Sequence, residues 1–175
     1  MLHEKDLENL MSKAYAEAVK SPDPSSQNGA VLVKRHESGE LTVVSSGNNH
    51  FYRGIEPEVS DRTKKLQRIE HSERDCIYNA ANRGVSTRGT ILVCPWVACY
   101  DCARAIIGAE ISMVVHHRER YMLTSPLWID AVSEAIGWLL AAGVWVLEYE
   151  GKVPRTNPIL ISGRKWHPGV LEYLD

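Results

Sequence analysis

His71-Ser72-Glu73, followed 26 residues beyond Glu73 by Cys99-Tyr100-Asp101-Cys102, decides how the rest of the chain is read. One imidazole and two thiols are a soft donor set suited to Zn2+. Three protein ligands leave the fourth tetrahedral position open, as in catalytic rather than structural zinc sites. Bound zinc lowers the pKa of its water from about 16 toward roughly 7. Glu73 is a hard oxygen donor beside a site already furnished with nitrogen and sulfur, so it reads as a proton carrier next to the metal, not as a ligand. The pattern points to metal-assisted hydrolysis.

In mid-helix His71 and Glu73 would project about 200° apart, at roughly 100° per residue, so they converge only at a helix mouth. Residues 73–83 read as an amphipathic helix with Cys76, Ile77, Ala80 and Ala81 on one flank and Gly84 as its stop, which puts His71 at its start. Cys99 and Cys102 lie three apart in the first turn of a second helix that continues through Ala103, Ala105, Ile106 and Ile107. The N–H groups of such a terminus favour thiolates. A structural zinc with Cys76 or Cys94 as fourth ligand is the competing reading of the metal. Cys76 sits more than a turn inside its helix, and Cys94 lies five residues before Cys99 on a strand. A lone surface histidine with core cysteines is the blander reading, against which the C-x-x-C spacing weighs. A redox C-x-x-C lacks a preceding thioredoxin-like β-α-β context.

Outward from this centre the elements alternate as in an α/β domain. Residues 7–19 have helical spacing and end at Ser21-Pro22-Asp23-Pro24; residues 29–34 and 41–46 are β-rich and joined as a hairpin. Residues 48–70 form a long charged connection of the kind that is usually functional. Strands are expected at residues 90–94, 112–116 and 144–149. Between the last two, residues 126–142 carry the apolar stripe Trp128, Val132, Ala135, Ile136, Leu139 and Leu140. A helix in that position implies that the final two strands run parallel. Residues 1–150 are read as the functional domain. Residues 151–175, with Pro154, Pro158, Pro168, Gly163 and Gly169, are read as a tail packed on it without a long element, covering the site or an interface.

At 175 residues the chain is sized for one domain with a full core. Its 20 Lys and Arg against 22 Asp and Glu, a net charge of −2, give no global attraction for a phosphate polymer, which favours small substrates over nucleic acid. Two local patches could still meet phosphate, Arg62-Thr63-Lys64-Lys65 and His116-His117-Arg118-Glu119-Arg120; the first reads as a solvated charged face. No window approaches the ~20 apolar residues that span a bilayer, and Met1-Leu2-His3-Glu4-Lys5-Asp6 has no leader pattern. Four cysteines, two of them in the metal set, suit a reducing cytoplasm.

The H-x-E and C-x-x-C elements, with Ser21-Pro22-Asp23-Pro24-Ser25-Ser26-Gln27-Asn28-Gly29-Ala30 upstream, resemble the zinc-dependent cytidine and deoxycytidylate deaminase superfamily, and within it the deoxycytidylate branch. The resemblance covers roughly residues 10–148. It implies a three-layer α/β/α fold with a five-stranded mixed sheet, zinc on His71, Cys99 and Cys102, and conversion of a cytosine base to uracil with release of ammonia. Glu73 would carry the proton. Main chain near Ser72 would hold the carbonyl edge of the base, Asn49 the sugar, and Gly29 with Ala30 one wall of the base pocket. Tyr121 aligns with a family tyrosine, and Arg118 and Arg120 are chosen from charge and position as partners of the phosphate. A deoxynucleotide substrate, possible 5-substitution of its base, and a homo-oligomer, hexameric in many members, are implied as well. Trp138 and Trp145 could serve a subunit contact as readily as the core.

The chain departs from the family pattern at Ala98 (proline), Ser72 (alanine), Asn28 (valine) and Asp75 (asparagine), a set expected around the substrate, where a new donor changes discrimination. His50-Phe51-Tyr52-Arg53-Gly54 replaces a glycine-rich segment of the family's nucleotide-sensing loop, so control by dCTP and dTTP is not implied. A guanine deaminase, a deaminase of adenosine in transfer RNA, and a noncatalytic zinc-stabilised binding module are the alternatives. The first two also place a helix between the last strands; the third has no use for Glu73.

Overall fold

The computed structural model describes residues 2–55, 61–154, 156–170 and 173–174. Its elements in chain order are α1 (Glu4–Ala18), β1 (Gly29–Arg35), β2 (Leu41–Asn48), β3 (His50–Phe51), α2 (Arg62–Arg68), β4 (Ile69–Glu70), α3 (Ser72–Asn82), β5 (Ile91–Val93), α4 (Tyr100–Gly108), β6 (Met113–His117), α5 (Arg118–Met122), α6 (Pro126–Ala141), β7 (Trp145–Tyr149), β8 (Ile159–Ile161) and β9 (Arg164–Trp166). Five strands form the central sheet in the order β2-β1-β5-β6-β7. β1 is antiparallel to both its neighbours, whereas β5, β6 and β7 are parallel, with Met113 opposite Ile91 on one side and Trp145 on the other. The mixed sheet and its parallel final pair match the sequence reading, since α6 returns the chain to the same end of the sheet.

Alternation along β1 divides the core. Ala30 and Leu32 face α3, α4 and α6, where they meet Cys76, Ala80, Cys102, Ile106 and Leu139. Val31 and Val33 face α1 and the C-terminal segment, where they meet Met11, Tyr15, Ile159, Ile161 and Trp166. Buried on both faces, the strand therefore reads as a continuous apolar run. Two glycines set how close the helices come. A Cβ on Gly29 would stand 2.3 Å from Ala18 N in α1, and one on Gly47 would stand 2.4 Å from Cys76 N and 2.8 Å from Ser72 O. Gly47 thus lets the first turn of α3, which carries the His71 motif, lie against β2.

The 48–70 connection holds more structure than its composition suggested: within it the short β3–β4 pair and α2 are formed. Asp61 caps α2 by accepting from Lys64 N. Downstream, β8 and β9 form a hairpin tied to the segment before β1, with Ser26 bridging Ile161, Gln27 N donating to Leu160 O and Gly163 N donating to Ser25 O. Among the described residues no helix is long and apolar enough to cross a membrane.

Candidate metal centre and substrate cavity

His71 is the N-cap of α3, in extended backbone at φ −84° and ψ 147°, which removes the mid-helix conflict, and the charges of His71 and Cys99 both act on the buried Glu73 carboxyl. Cys99 is the N-cap of α4 and Cys102 lies in its first turn. Two helix N-termini therefore converge on the site, and their free N–H groups stabilise negative sulfur. His71 Nδ1 lies 3.5 Å from Cys99 Sγ and 3.6 Å from Cys102 Sγ. Zinc bonds of about 2.3 Å to sulfur and 2.05 Å to nitrogen, at a tetrahedral angle, span about 3.6 Å between nitrogen and sulfur, so the imidazole stands from each thiol at the spacing such an ion needs, and all three donor atoms lie within 4.8 Å of one another.

Among the described residues this is the metal-capable group, and neither Glu73 nor another cysteine belongs to it. Cys76 is a core residue whose thiol burial pushes up to about 12. Cys94 donates to Trp96 O at 2.7 Å and accepts from Asn28 Nδ2. Three donors remain, as the spacing implied.

Electrostatics around the trio are mixed. A hydrogen bond from Cys102 and the neighbouring His71 hold the Cys99 thiol down at about 3, against burial; burial raises Cys102. Burial works against charging His71, but the hydrogen bond and charge of Cys99 outweigh it and raise the imidazole. Arg74 Nη1 approaches Cys102 Sγ at 3.6 Å while its Nε is held by Glu70 at 2.5 Å, which places a cation behind a thiolate ligand. Burial raises the Glu73 carboxyl, the direction a group needs if it is to accept and release a proton near neutrality. Its Oε2 accepts from Ser72 Oγ at 3.0 Å.

His71 opens onto a cavity of about 370 Å³, inside the size range of small-molecule sites. Asn49, Leu66, Ile69, Trp96, Arg120 and Trp128 are among its walls, and Ile161 and Ser162 of the C-terminal segment complete it. Arg120 is 3% exposed, its guanidinium stacks over Trp96 at 4.7 Å, and its Nε and Nη1 have no protein partner. Burial pulls it down to about 10, still far above neutral pH, so the cation persists there.

Of the two arginines chosen from sequence, only Arg120 lines the cavity. Arg118 faces away, half exposed, paired with Glu148 and Glu150. The segment is a short helix, α5, not a loop, and residues two apart on a helix point to different sides. Tyr121 packs its ring on His116 and is not a cavity wall.

Asn49 lines the cavity, but its side chain is already committed: Oδ1 accepts from Ser72 N at 2.9 Å and Nδ2 donates to Ser26 O. The Ser72 amide expected to meet the base is therefore turned to Asn49. Gly29 and Ala30 are not cavity walls. The first faces the backbone of α1 and the second is buried between the sheet and α3. Asp75 does not border the cavity either, since its carboxylate accepts from Asn48 N and Asn79 Nδ2 and anchors the end of β2.

The patch at residues 62–65 is not wholly a solvated face. Lys65 is 7% exposed and donates to Asp23 Oδ2 at 2.6 Å and to Ser25 Oγ at 2.8 Å, and both Lys65 and Arg62 line the cavity. Leu66, Trp96 and Trp128 are cavity residues the sequence reading missed as such. Trp128 was counted in the apolar stripe of α6, and nothing in its spacing separates a wall of a cavity from a wall of the core.

Known proteins share both the sequence pattern and the architecture. A probable deoxycytidylate deaminase of Drosophila melanogaster is 28% identical over 171 residues, 87% of this chain and 75% of that protein. The Homo sapiens deoxycytidylate deaminase is 28% identical over 122 residues, 65% of each chain. The crystal structure of dCMP deaminase from the cyanophage S-TIM5 in complex with dCMP and dUMP superposes with a TM-score of 0.63, covering 85% of this chain and 99% of that one at 19% identity, a likeness of fold. Residues 4–118, from the start of α1 to the start of α5, match the cytidine and deoxycytidylate deaminase zinc-binding region, and the chain belongs to that family.

Proposed function

We propose that the protein hydrolyses deoxycytidine monophosphate, with or without a substituent at position 5 of the base, to the deoxyuridine monophosphate and ammonia. The observation that carries the substrate is Arg120, a buried cation with unpaired N–H groups in the same cavity as His71. A buried charge without a partner is costly, and a phosphate monoester supplies the matching acceptors. The relatives named deoxycytidylate deaminase support the same reading.

His71 Nδ1, Cys99 Sγ and Cys102 Sγ would hold the zinc, which when bound acidifies a water and polarises it for attack. Glu73 would take one proton from the attacking water and deliver it to N3 as oxygen adds to C4, and would then move the remaining proton of the new C4 hydroxyl to the amino group, which leaves as ammonia as the carbonyl forms. Trp96, Trp128, Leu66 and Ile69 exclude solvent around the ring, while Arg120 holds the phosphate and so fixes which atom of the base faces Glu73. Arg62 adds positive potential on the cavity wall, whereas the charge of Lys65 is matched by its ion pair with Asp23.

A reducing cytoplasm keeps Cys99 and Cys102 available as thiolates and belongs to this reading. So does a homo-oligomer, supported by exposed Leu127, Leu140 and Trp145 on α6 and β7, where Trp138 stacks on Tyr100 at the surface rather than in the core.

The test is ammonia release by the zinc-loaded protein from dCMP, 5-methyl-dCMP, CMP, deoxycytidine, guanine and AMP, with Glu73→Gln as control. Turnover confined to the deoxycytidine monophosphates, lost in Glu73→Gln at unchanged zinc content, supports the proposal. Turnover of guanine or AMP replaces the substrate, and undiminished turnover by Glu73→Gln removes Glu73 from its role.

A further inference from the structure

Behind Glu73 lies a buried polar chain whose hydrogen bonds run in one direction. Asn28, Ser72 and Cys94 are 3%, 0% and 0% exposed. Ser72 Oγ donates its single proton to Glu73 Oε2 at 3.0 Å, and Cys94 Sγ donates its own to Trp96 O at 2.7 Å. Both atoms can therefore only accept from a third group. Asn28 Nδ2 is that group, 3.1 Å from Ser72 Oγ and 3.2 Å from Cys94 Sγ. With the amide turned this way, Asn28 Oδ1 is left buried without a partner.

An orphaned acceptor costs on the order of 1–3 kcal/mol, and a leucine of similar shape would avoid the cost altogether. The opposite edge of the amide is where the chain has use for it. Ser72 is further fixed through its backbone, whose N–H donates to Asn49 Oδ1.

We propose that Ser72 and Asn28 are positioning residues for Glu73, locking its Oε2 in a hydrogen bond so that Oε1 is the oxygen presented to the substrate. This rests on Glu73 acting as proton carrier. A carboxylate with two equivalent free oxygens can rotate; one with Oε2 tethered from behind meets the reacting atoms in a single orientation, and orientation of this kind is a large part of catalysis. Asn28 acts one step further back. By donating to Ser72 Oγ it prevents the hydroxyl from turning its proton elsewhere.

The test is a double-substitution cycle on the zinc-loaded protein, with kcat and KM for dCMP measured separately. Ser72→Ala is expected to lower kcat about ten- to hundredfold, the worth of one hydrogen bond to a charged group, with KM within about twofold. Asn28→Leu is expected to lower kcat about three- to tenfold in the Ser72 protein and to cause no further loss when Ser72 is already alanine. A kcat unchanged by either single substitution, a loss confined to KM, or losses that multiply in the double variant overturns the proposal.

Crystal structures of zinc-loaded wild type and Ser72→Ala provide a readout that does not need turnover. The Glu73 carboxylate is expected to rotate away in the variant, and one that stays in place overturns the proposal even if the substrate assignment proves wrong. Zinc content and melting temperature, measured for each variant, separate a displaced carboxylate from a misfolded site.

Discussion

Replacing Arg120 with methionine should weaken the enzyme and leave the fold as stable as before, or more so. In the folded protein burial holds the guanidinium down at about 10, well below its ordinary value. At about 1.36 kcal/mol per unit, the folded state disfavours this charge by about 3 kcal/mol at pH 7, where it is protonated both folded and unfolded. Stacking over Trp96 returns about 1–2 kcal/mol, so desolvation wins and the apolar replacement is neutral to stabilising.

The catalytic effect has the opposite sign. Two charge-assisted hydrogen bonds to a phosphate, at about 1.5 kcal/mol each or more, amount to at least about 3 kcal/mol, or over a hundredfold in kcat/KM for dCMP. Deoxycytidine, which offers no phosphate, should be processed by both proteins within about twofold. The assay is steady-state ammonia release from each substrate, with denaturant unfolding of the two proteins alongside. Inorganic phosphate should raise the melting temperature of the wild type and not that of Arg120→Met, a readout independent of turnover. Equal losses on nucleotide and nucleoside, or destabilisation by more than about 2 kcal/mol, would refute the reasoning. Arg118→Ala serves as the contrasting variant, because its exposed pairing with Glu148 and Glu150 predicts little change in either substrate.

Four further outcomes are expected. Cys102→Ser should release zinc while retaining the sheet, as measured by metal content together with circular dichroism, because its thiolate is one of only three protein donors in the group. Gly47→Ala should destabilise by about 1–3 kcal/mol or more, since the new Cβ meets backbone of α3; Gly137→Ala, with open space around it in α6, should stabilise by about 1 kcal/mol, and denaturant titration reads both. Acid should act through His116, which burial, aided by His117, holds down at about 4, so the unfolded chain binds the proton first. Stability from this group is complete above about pH 6.5 and falls by about 3 kcal/mol as pH drops toward 4, and His116→Gln should flatten that part of the unfolding profile.

The sequence carried the metal trio because each half of it is a local motif, an N-cap histidine and a C-x-x-C at a helix start; packing of α3 and α4 in one core then brings the two helix mouths together. Parallel pairing of the last strands was equally legible from the length of the intervening helix. What escaped it depends on the direction of a side chain across a longer path. Arg118 and Arg120 look alike in the sequence, yet two positions apart on α5 they point to different sides, one to solvent and the other onto the ring of Trp96. Lys65 sits in a run of charges that reads as surface, and only its contact with Asp23, 42 residues away, buries it. Gly29 is placed at the wall of the base pocket by the family resemblance alone. Strand alternation turns it to α1 instead.

The wall formed by Ile161 and Ser162 has a consequence for the order in which the molecule is completed. During synthesis the last zinc donor, Cys102, leaves the ribosome 59 residues before Ile161 does. The ligands are therefore all synthesised before the hairpin that docks on Ser25, Ser26 and Gln27. The metal ligands and the last wall of the chamber are thus separated in the order of synthesis by the layout of the chain itself. A chain that ended before Ile161 would hold every donor of the metal group and lack the wall that completes the pocket.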